Sequence, residues 1–413
     1  MTVKPRFVIV GAGLAGHSAA TTLRETGFEG EIILIGDEAA RPYERPPLSK
    51  QFLQGKKPRN ELFFHSPEEY DERGIELMLG RRATELDVAR QQLTLDDGEI
   101  VSYDKLLLTT GASPIRLRQP GFDLPGVHYL RTLTDAAELG EQLRQSGRHV
   151  VVIGAGFIGS EVAASARMLG NEVTLVDLLP LPMVSVLGET LGELFAEIHR
   201  REGVVLRMLS RVDELRGAGT VEEAVLADGE RIACDLVVVG VGVRPNIELA
   251  QQAGVETDNG IVVNEFSETS AANVYAAGDV AHWWHPGHGR RFRVEHYDNA
   301  GEHGAAAARS MLGQGDPFIP LPYFWSDQYD INLQYVGYPE GWDQLVLRGN
   351  LAEFSVTAFF LNQGQVCSAA TINRPRELRS ARRLCEARAV IDPDVLANPQ
   401  TDLRALSRNA PRP

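Results

Sequence analysis

The sequence predicts an α/β protein of 413 residues: two units of parallel sheet flanked by helices, the second inserted in the first, then a small α+β C-terminal domain. Three observations predict it. One strand–helix architecture occurs twice along the chain, each copy opens with an apolar run that breaks at glycines, and near Tyr323 the pattern changes to alternating strands.

The elements follow in order. Residues Arg6 to Gly16 read RFVIVGAGLAG, and His149 to Gly159 read HVVVIGAGFIG. Each is a β-branched run, a G-x-G-x-x-G turn and an Ala-rich helical stretch. Each then reaches a further apolar run, EIILIGDE at 31–38 and EVTLVD at 172–177. The likeness continues: GIELMLGRRATEL at 74–86 parallels GVVLRMLSRVDEL at 203–215, and YDKLLLTTGASP at 103–114 parallels CDLVVVGVGVRP at 234–245. Each copy reads as β-α-β, a crossover, a short antiparallel meander and a last strand ending at glycine. The stretch 260–281, with its VYAAGD run, has no counterpart inside the second copy and reads as the strand that completes the first. The boundaries expected are 1–113 with 246–322 for the first domain, 114–245 for the inserted one and 323–413 for the last. In the last, INLQYVGY (331–338), DQLVLRG (343–349), EFSVTAFFL (353–361) and QVCSAATI (365–372) read as strands, and a helix runs from about Pro375 to Arg388. The tail beyond Pro393 is polar and Pro-rich and reads as loosely held.

Composition narrows the function classes. There are 41 Lys+Arg against 56 Asp+Glu, a net charge of −15, which argues against general nucleic-acid binding and against docking on anionic lipid. The excess is uneven: from Tyr323 onward ten Arg balance ten acidic residues, while the first 322 residues carry 31 basic against 46 acidic. Three cysteines in this length cannot make a disulfide framework, and a reducing, cytoplasmic setting is expected. No apolar run approaches the ~18 residues of a membrane span, and the N-terminus lacks the pattern of a signal peptide.

The glycine turns carry chemistry. In Gly11, Gly13, Gly16 the first glycine permits a tight turn, the second lets backbone approach a pyrophosphate and the third lets helix and strand close together, with the helix N-terminus facing the phosphates. Alone, such a triad can be a mere turn. Here strand, helix and a terminal acid stand where a dinucleotide needs them. Asp37 and Glu38 are both available to ribose hydroxyls, and Asp37 is favoured. The second triad is Gly154, Gly156, Gly159 with Asp177 as its acid. The LLPLPMVSVLG that follows holds no Arg or Lys for a 2′-phosphate, which favours NADH over NADPH. Two Rossmann-like dinucleotide-binding domains imply two dinucleotides, one resident and one exchanging. A third signature, Thr269-x4-Val274-Tyr275-Ala276-x-Gly278-Asp279, places a carboxylate after a strand and a glycine turn, where it can reach a flavin ribityl chain. The alternative is an Asp capping a helix from Ala281 onward.

Other features weigh on the acceptor. Cys234, Cys367 and Cys385 lie away from the first glycine turn and form no C-x-x-C, so a disulfide relay has no residues to use. They are also too few for a four-cysteine [2Fe–2S] site, so electrons must leave for an external acceptor. His282, His285 and His288 could bind zinc, but a solvent-exposed loop is the preferred reading and no metal site is assigned. Arg374, Arg376, Arg379, Arg382, Arg383 and Arg388 lie on a basic helical stretch, either a solvated face or a docking patch for an acidic redox protein.

Taken with the glycine triads, RPPLSK at 45–50, TTG at 109–111, Arg131 in YLRTLTD, AGD at 277–279 and FWSDQYD at 324–330 resemble the flavin-dependent ferredoxin reductases of oxygenase systems. The VEHYDNA stretch at 294–300 also resembles the related apoptosis-inducing-factor-like branch. The resemblance implies a glutathione-reductase-like arrangement with FAD in the first domain, NADH in the inserted one and a C-terminal interface domain. It implies that Ala15, Asp37, Lys50, Ala83, Arg131, Asp279 and Tyr297 line FAD, with Trp325 beside its ring, and that Ile158, Glu161 and Asp177 meet NADH. A Lys at the flavin's reducible edge would stabilise negative charge arriving on the ring, and Glu161, two residues past the last glycine, would face the nicotinamide end. A Lys50–Glu161 pair joining the two domains is expected at the reaction centre, against the alternative of two ordinary surface ions. The implied partner is a [2Fe–2S] ferredoxin serving a P450 or Rieske-type oxygenase. The alternatives with the same core are an NADH oxidase, a rubredoxin reductase or a redox-responsive binding protein.

Overall fold

The computed structural model describes residues 4–338 and 341–410. The chain forms two compact units: Met1–Pro46, Pro58–Ser113 and Val243–Pro320 make the first, and Pro47–Lys57, Pro114–Gly242 and Leu321–Pro413 make the second.

In the first unit Arg6–Val10 is the centre of a five-stranded parallel sheet. Glu31–Gly36 and Lys105–Leu108 flank it, and Ile75–Leu79 and Val274–Ala276 are the edges. Val8, Ile9, Leu34, Leu106, Leu107 and Leu108 are fully buried, as the unbroken apolar runs of a sheet covered on both faces require. Val274 pairs opposite Leu106, so the stretch 260–281 does complete this sheet. Helices Leu14–Glu25 and Tyr297–Met311 pack closely because Gly304 has no side chain: a Cβ there would stand 2.1 Å from the Ala15 carbonyl oxygen.

Two expectations change in this unit. Ala281–His285 is a strand, paired with Gly260–Val263 and Arg290–Phe292. Asp279 therefore caps no helix starting at Ala281. His282 and His285 also lie on this strand rather than in an exposed loop, and His285 is 4% exposed, with its ring against His288. The cause is the period-two run AHWWH, whose inward Trp283 is fully buried and draws the segment into the sheet.

The second unit repeats the design. His149–Ile153 is central, between Glu172–Val176 and Leu236–Val239, with Val205–Arg207 and Val127–Tyr129 at the edges, all parallel. Its further sheet is antiparallel, ordered Tyr323–Gln328, Ile331–Gly337, Gln365–Ile372, Ser355–Asn362 and Gln344–Asn350. Leu187, Leu191 and Phe195 on helix Val184–Arg201 share a core with Leu333, Tyr335 and Phe360 of that sheet. The edge strand Tyr323–Gln328 takes in the FWSDQ run and adds to the four strands expected from the sequence.

The tail is not loosely held. Leu396 and Leu403, in helices Pro393–Ala397 and Leu403–Asn409, are buried. The guanidinium of Arg348, whose side chain is 5% exposed, pairs with Glu377 and donates to the carbonyls of Leu396, Asn398, Pro399 and Thr401. A buried cation thus gathers four carbonyls from helix Pro393–Ala397 and the turn that follows it.

Candidate functional site

Both parallel sheets end their central strand in the same turn. Gly11 N–H donates to Ile35 O and Gly154 N–H to Val176 O, each at 2.8 Å. Gly11 (φ +116°) and Gly154 (φ +103°) take backbone conformations that side chains avoid, and a Cβ would stand 2.1 Å from Thr109 O or 2.3 Å from Gly240 O. The third glycines set the helix against the strand: a Cβ on Gly16 would lie 2.0 Å from Gly11 O, and one on Gly159 1.8 Å from Gly154 O. The middle glycines differ. Gly13 and Gly156 have φ of −79° and −73°, open to any residue, and a Cβ on either would meet no described atom within 4 Å. They precede helices Leu14–Glu25 and Phe157–Met168, and no side chain caps either helix among the described residues. The first-turn amides thus have no side-chain competitor for a phosphate. Each unit fits one dinucleotide.

The terminal acids are not equivalent. Since Ile35 and Val176 occupy the same register, Asp177 stands where the first unit has Gly36, and Asp37 comes one residue later. A Cβ on Gly36 would come within 2.6 Å of the Ala12 Cβ, so no acid fits there. Asp177 accepts from the backbone N–H of Ala155 at 2.5 Å and of Leu179 at 2.7 Å, which fixes it on the glycine turn. Asp37 is 59% exposed and pairs with Arg82 at 3.1 Å, next to Ala83 at the bulged start of strand Ala83–Asp87. Glu38 accepts from Tyr43 Oη and from Arg45, both at 2.7 Å. Arg207, on the strand beside Asp177, is paired with Glu230 at 2.9 Å.

The turn Gly278–Val280 meets the first glycine motif: a Cβ on Gly278 would lie 2.9 Å from the Ala15 Cβ. Burial opposes the Arg45 charge, but Tyr43, Glu38 and Asp279 outweigh it and raise its pKa, with Glu38 in direct contact. Burial pushes His296 down to about 4 beside Asp279. Tyr297 opens helix Tyr297–Met311, its phenol pushed up to about 12 by burial and by Glu44 and Asp298.

In the second unit the structure brings Lys50 and Glu161 together. Lys50 Nζ lies 2.8 Å from Glu161 Oε2, and the residues are 6% and 3% exposed. Both belong to one compact unit, so the pair is internal to it rather than a bond joining two bodies. Glu161 accepts two further hydrogen bonds, from Ser49 Oγ at 2.5 Å and from Ser326 Oγ at 2.8 Å. The segment bearing Lys50 is fastened to helix Phe157–Met168: Ser165 Oγ donates to Ser49 O at 2.7 Å, and Gln54 donates to Ser165 Oγ at 2.9 Å. Ile158 on the same helix is 47% exposed, an apolar face beside the glycine turn. Trp325 points to the opposite side of its strand from Ser326 and stacks on Tyr323. Arg131 precedes helix Leu133–Leu143, its N–H held by Asp135 at 3.1 Å.

Sequence reasoning missed Ser49, Ser326 and the Glu38–Arg45 pair. Ser49 and Ser326 lie inside RPPLSK and FWSDQYD, which marked the places without assigning these residues. The cysteines are free thiols, and burial raises their pKa, Cys234 to about 12, so they are poor nucleophiles.

Comparison with known proteins places this geometry. The family model described as pyridine nucleotide-disulphide oxidoreductase matches residues 5–304, and the reductase C-terminal model matches 323–407. Rhodocoxin reductase of Rhodococcus erythropolis is 38% identical over 405 residues, 98% of this chain and 95% of that protein. The ferredoxin–NAD(+) reductase component of the Burkholderia cepacia anthranilate 1,2-dioxygenase system is 39% identical over 402 residues, 96% of this chain and 98% of that protein. The crystal structure of the covalent putidaredoxin reductase–putidaredoxin complex aligns with a TM-score of 0.95 at 36% identity, covering 98% of this chain and 99% of that one.

Proposed function

This chain belongs to the pyridine nucleotide-disulphide oxidoreductase family, and on that premise we infer that it carries electrons from NADH through FAD to a [2Fe–2S] ferredoxin serving a P450 or Rieske-type oxygenase. The observation that carries this reading is the buried Lys50–Glu161 pair, set on the helix that opens at the second glycine turn. When bound, FAD supplies the conversion of a two-electron donor into one-electron delivery.

We assign the roles as follows. Gly11, Gly13, Ala15 and Gly16 hold the FAD pyrophosphate, Asp37 its ribose and Asp279 its ribityl chain, while Ala83, Arg131, Tyr297 and Trp325 complete the lining. Gly154, Gly156 and Gly159 hold NADH, with Asp177 at its ribose, and Ile158 offers the exposed apolar face. Pairing of Arg207 with Glu230 leaves no unshared cation on that strand for a 2′-phosphate, which supports NADH. Lys50 keeps a positive charge at the reaction centre and Glu161 holds that charge in place. FAD is assigned to 1–113 with 246–322, NADH to 114–245 and partner binding to 323–413. Placement in the cytoplasm is supported by three free thiols. No helix among the described residues is long and apolar enough to cross a membrane.

The test is anaerobic mixing of the FAD-loaded protein with NADH. Rapid bleaching of the flavin, followed by reoxidation when an acidic ferredoxin is added, supports the reading. A long-lived reduced complex that ignores ferredoxin points to a redox-responsive binding protein, and oxygen uptake without ferredoxin points to an oxidase.

The docking side carries its own prediction. On helix Pro375–Glu386, Arg376, Arg379 and Arg383 are exposed and share one face, whereas Arg382 pairs with Glu386 and Arg374 with Glu377. Replacing Arg376, Arg379 and Arg383 by Gln raises the KM for an acidic ferredoxin about tenfold at low salt and leaves that for NADH unchanged. An unchanged ferredoxin KM across ionic strengths contradicts this assignment.

A further inference from the structure

Arg207 ends the strand Val205–Arg207, at the edge of the second parallel sheet. It stands opposite Val176, and the N–H of Asp177 donates to its carbonyl oxygen at 3.1 Å. The Arg207 and Asp177 side chains therefore start from the same carboxyl end of neighbouring strands. Such strands lie about 4.8 Å apart, less than the length of an arginine side chain. In dinucleotide-binding folds this end receives the adenosine ribose, and an arginine there accommodates the 2′-phosphate of NADPH. Arg207 is placed as such an arginine, in a chain whose other features favour NADH.

Glu230 resolves the conflict. Arg207 Nε lies 3.0 Å from both carboxylate oxygens of Glu230, and Arg207 Nη2 lies 2.9 Å from Oε1. The carboxylate thus occupies one edge of the planar guanidinium. Arg207 leaves the sheet on the side of Val176, which packs with Val212 and Leu215 of the antiparallel meander. Glu230 lies in that meander, in the hairpin that joins Glu223–Leu226 to Arg231–Ala233. The Glu230 hydrogen bond raises the pKa of Arg207, and the charge of Asp228 in the same turn adds to it.

The fold itself has little need of this pair. The hairpin closes on backbone bonds, from Leu226 N–H to Glu230 O at 2.8 Å and from Gly229 N–H to Leu226 O at 3.0 Å, and Asp228 accepts from the Glu230 N–H at 2.9 Å. The Glu230 carboxylate takes no part in these. The Arg207 and Glu230 side chains are 39% and 38% exposed, and an ion pair that open to water adds little to stability. The first unit has the same Asp-Gly-Glu turn at 97–99, yet there Glu99 pairs with Arg81 at 2.7 Å, and Met78, opposite Ile35, holds the place of Arg207. Of the two copies, only the second has an arginine at this strand end for the hairpin acid to capture.

We propose that Glu230 is a specificity-determining residue: it holds the Arg207 guanidinium away from the adenosine ribose and so keeps the second glycine turn selective for NADH over NADPH. The proposal rests on the reading of that turn as the NADH site. Two effects act together. The cation that a 2′-phosphate needs is already shared, and the phosphate must approach the carboxylates of Glu230, Asp228 and Asp177 against their repulsion. Freed from Glu230, Arg207 turns over the end of its strand toward Asp177 and offers the phosphate two parallel N–H donors. NADH carries no charge at that hydroxyl for either effect to act on.

Calorimetric titration of the FAD-loaded protein with ADP-ribose and with its 2′-phosphate reads the effect without turnover. Glu230→Gln tightens the 2′-phosphate about tenfold and leaves ADP-ribose unchanged, and Glu230→Ala does the same. Adding Arg207→Gln to Glu230→Gln abolishes the gain. In turnover, Glu230→Gln lowers the KM for NADPH about tenfold with kcat unchanged, and the gain shrinks as salt is raised. If both Glu230 variants melt as the parent does and bind the 2′-phosphate no more tightly, Glu230 does not set the choice. A gain that survives Arg207→Gln overturns the proposal too, because Arg207 is then not the receiving cation. Gly156→Ala separates the two claims. If it leaves ADP-ribose binding unchanged, the placement of the nucleotide is at fault; if it weakens that binding while Glu230→Gln gives no gain, only the role of Glu230 is.

Discussion

Lys50→Met slows reduction of FAD by NADH about 100-fold, the range seen when a preorganised charge is taken from a reaction centre. It also destabilises the protein by about 3–5 kcal/mol, because a buried carboxylate loses its counter-charge. The geometry gives the reason. Glu161 is 3% exposed and keeps only the Ser49 and Ser326 hydroxyls, which are neutral donors. Stability and rate therefore separate in the double variant. Lys50→Met with Glu161→Gln buries no net charge, so its melting temperature returns most of the way to that of the parent, yet its reduction stays slow. Thermal melting beside stopped-flow reduction measures both quantities. A Lys50→Met protein that reduces at the parental rate removes Lys50 from the reaction centre.

Gly156→Ala raises the KM for NADH about 100-fold and leaves the melting temperature and flavin content unchanged. Gly156 has an ordinary φ of −73°, and its Cβ would meet no described protein atom within 4 Å, so the fold tolerates alanine. The pyrophosphate does not tolerate it, because a methyl group over the turn keeps it from the first-turn amides. Losing two hydrogen bonds to a charged group at the weak end of their range, about 1.5 kcal/mol each, accounts for the factor. Gly159→Ala behaves oppositely. Its Cβ would stand 1.8 Å from Gly154 O, so helix and strand are forced apart and stability falls with binding. Steady-state kinetics and melting curves on both variants check this. An unchanged NADH KM in Gly156→Ala places the dinucleotide elsewhere.

Much of this architecture is legible in the residues because its requirements are local. Tight turns, close helix–strand packing and open approach to a phosphate each demand glycine at a fixed spacing, so Gly11, Gly13, Gly16 and their repeats at Gly154, Gly156 and Gly159 announce themselves. The repeat also exposes VYAAGD as an unmatched strand, and Val274–Ala276 closes the first sheet accordingly. What stays hidden depends on distance along the chain. Ser49 and Ser326 reach Glu161 across 112 and 165 residues, and nothing in either local stretch distinguishes a buried serine from a solvated one. The tail looks free because its polar residues are visible, whereas the carbonyls that Arg348 gathers leave no trace in composition. The one-residue offset between Asp37 and Asp177 is likewise a matter of register, set by contacts between Gly36 and Ala12.

The central claim is that this chain delivers electrons from NADH to a ferredoxin. Cytochrome c reduction by the FAD-loaded protein with NADH, in the presence and absence of an acidic [2Fe–2S] ferredoxin, tests it most directly. The account predicts rapid cytochrome c reduction only when ferredoxin is present, saturating with ferredoxin and slower with NADPH. The same slow rate with and without ferredoxin, in a protein whose flavin NADH reduces quickly, contradicts it.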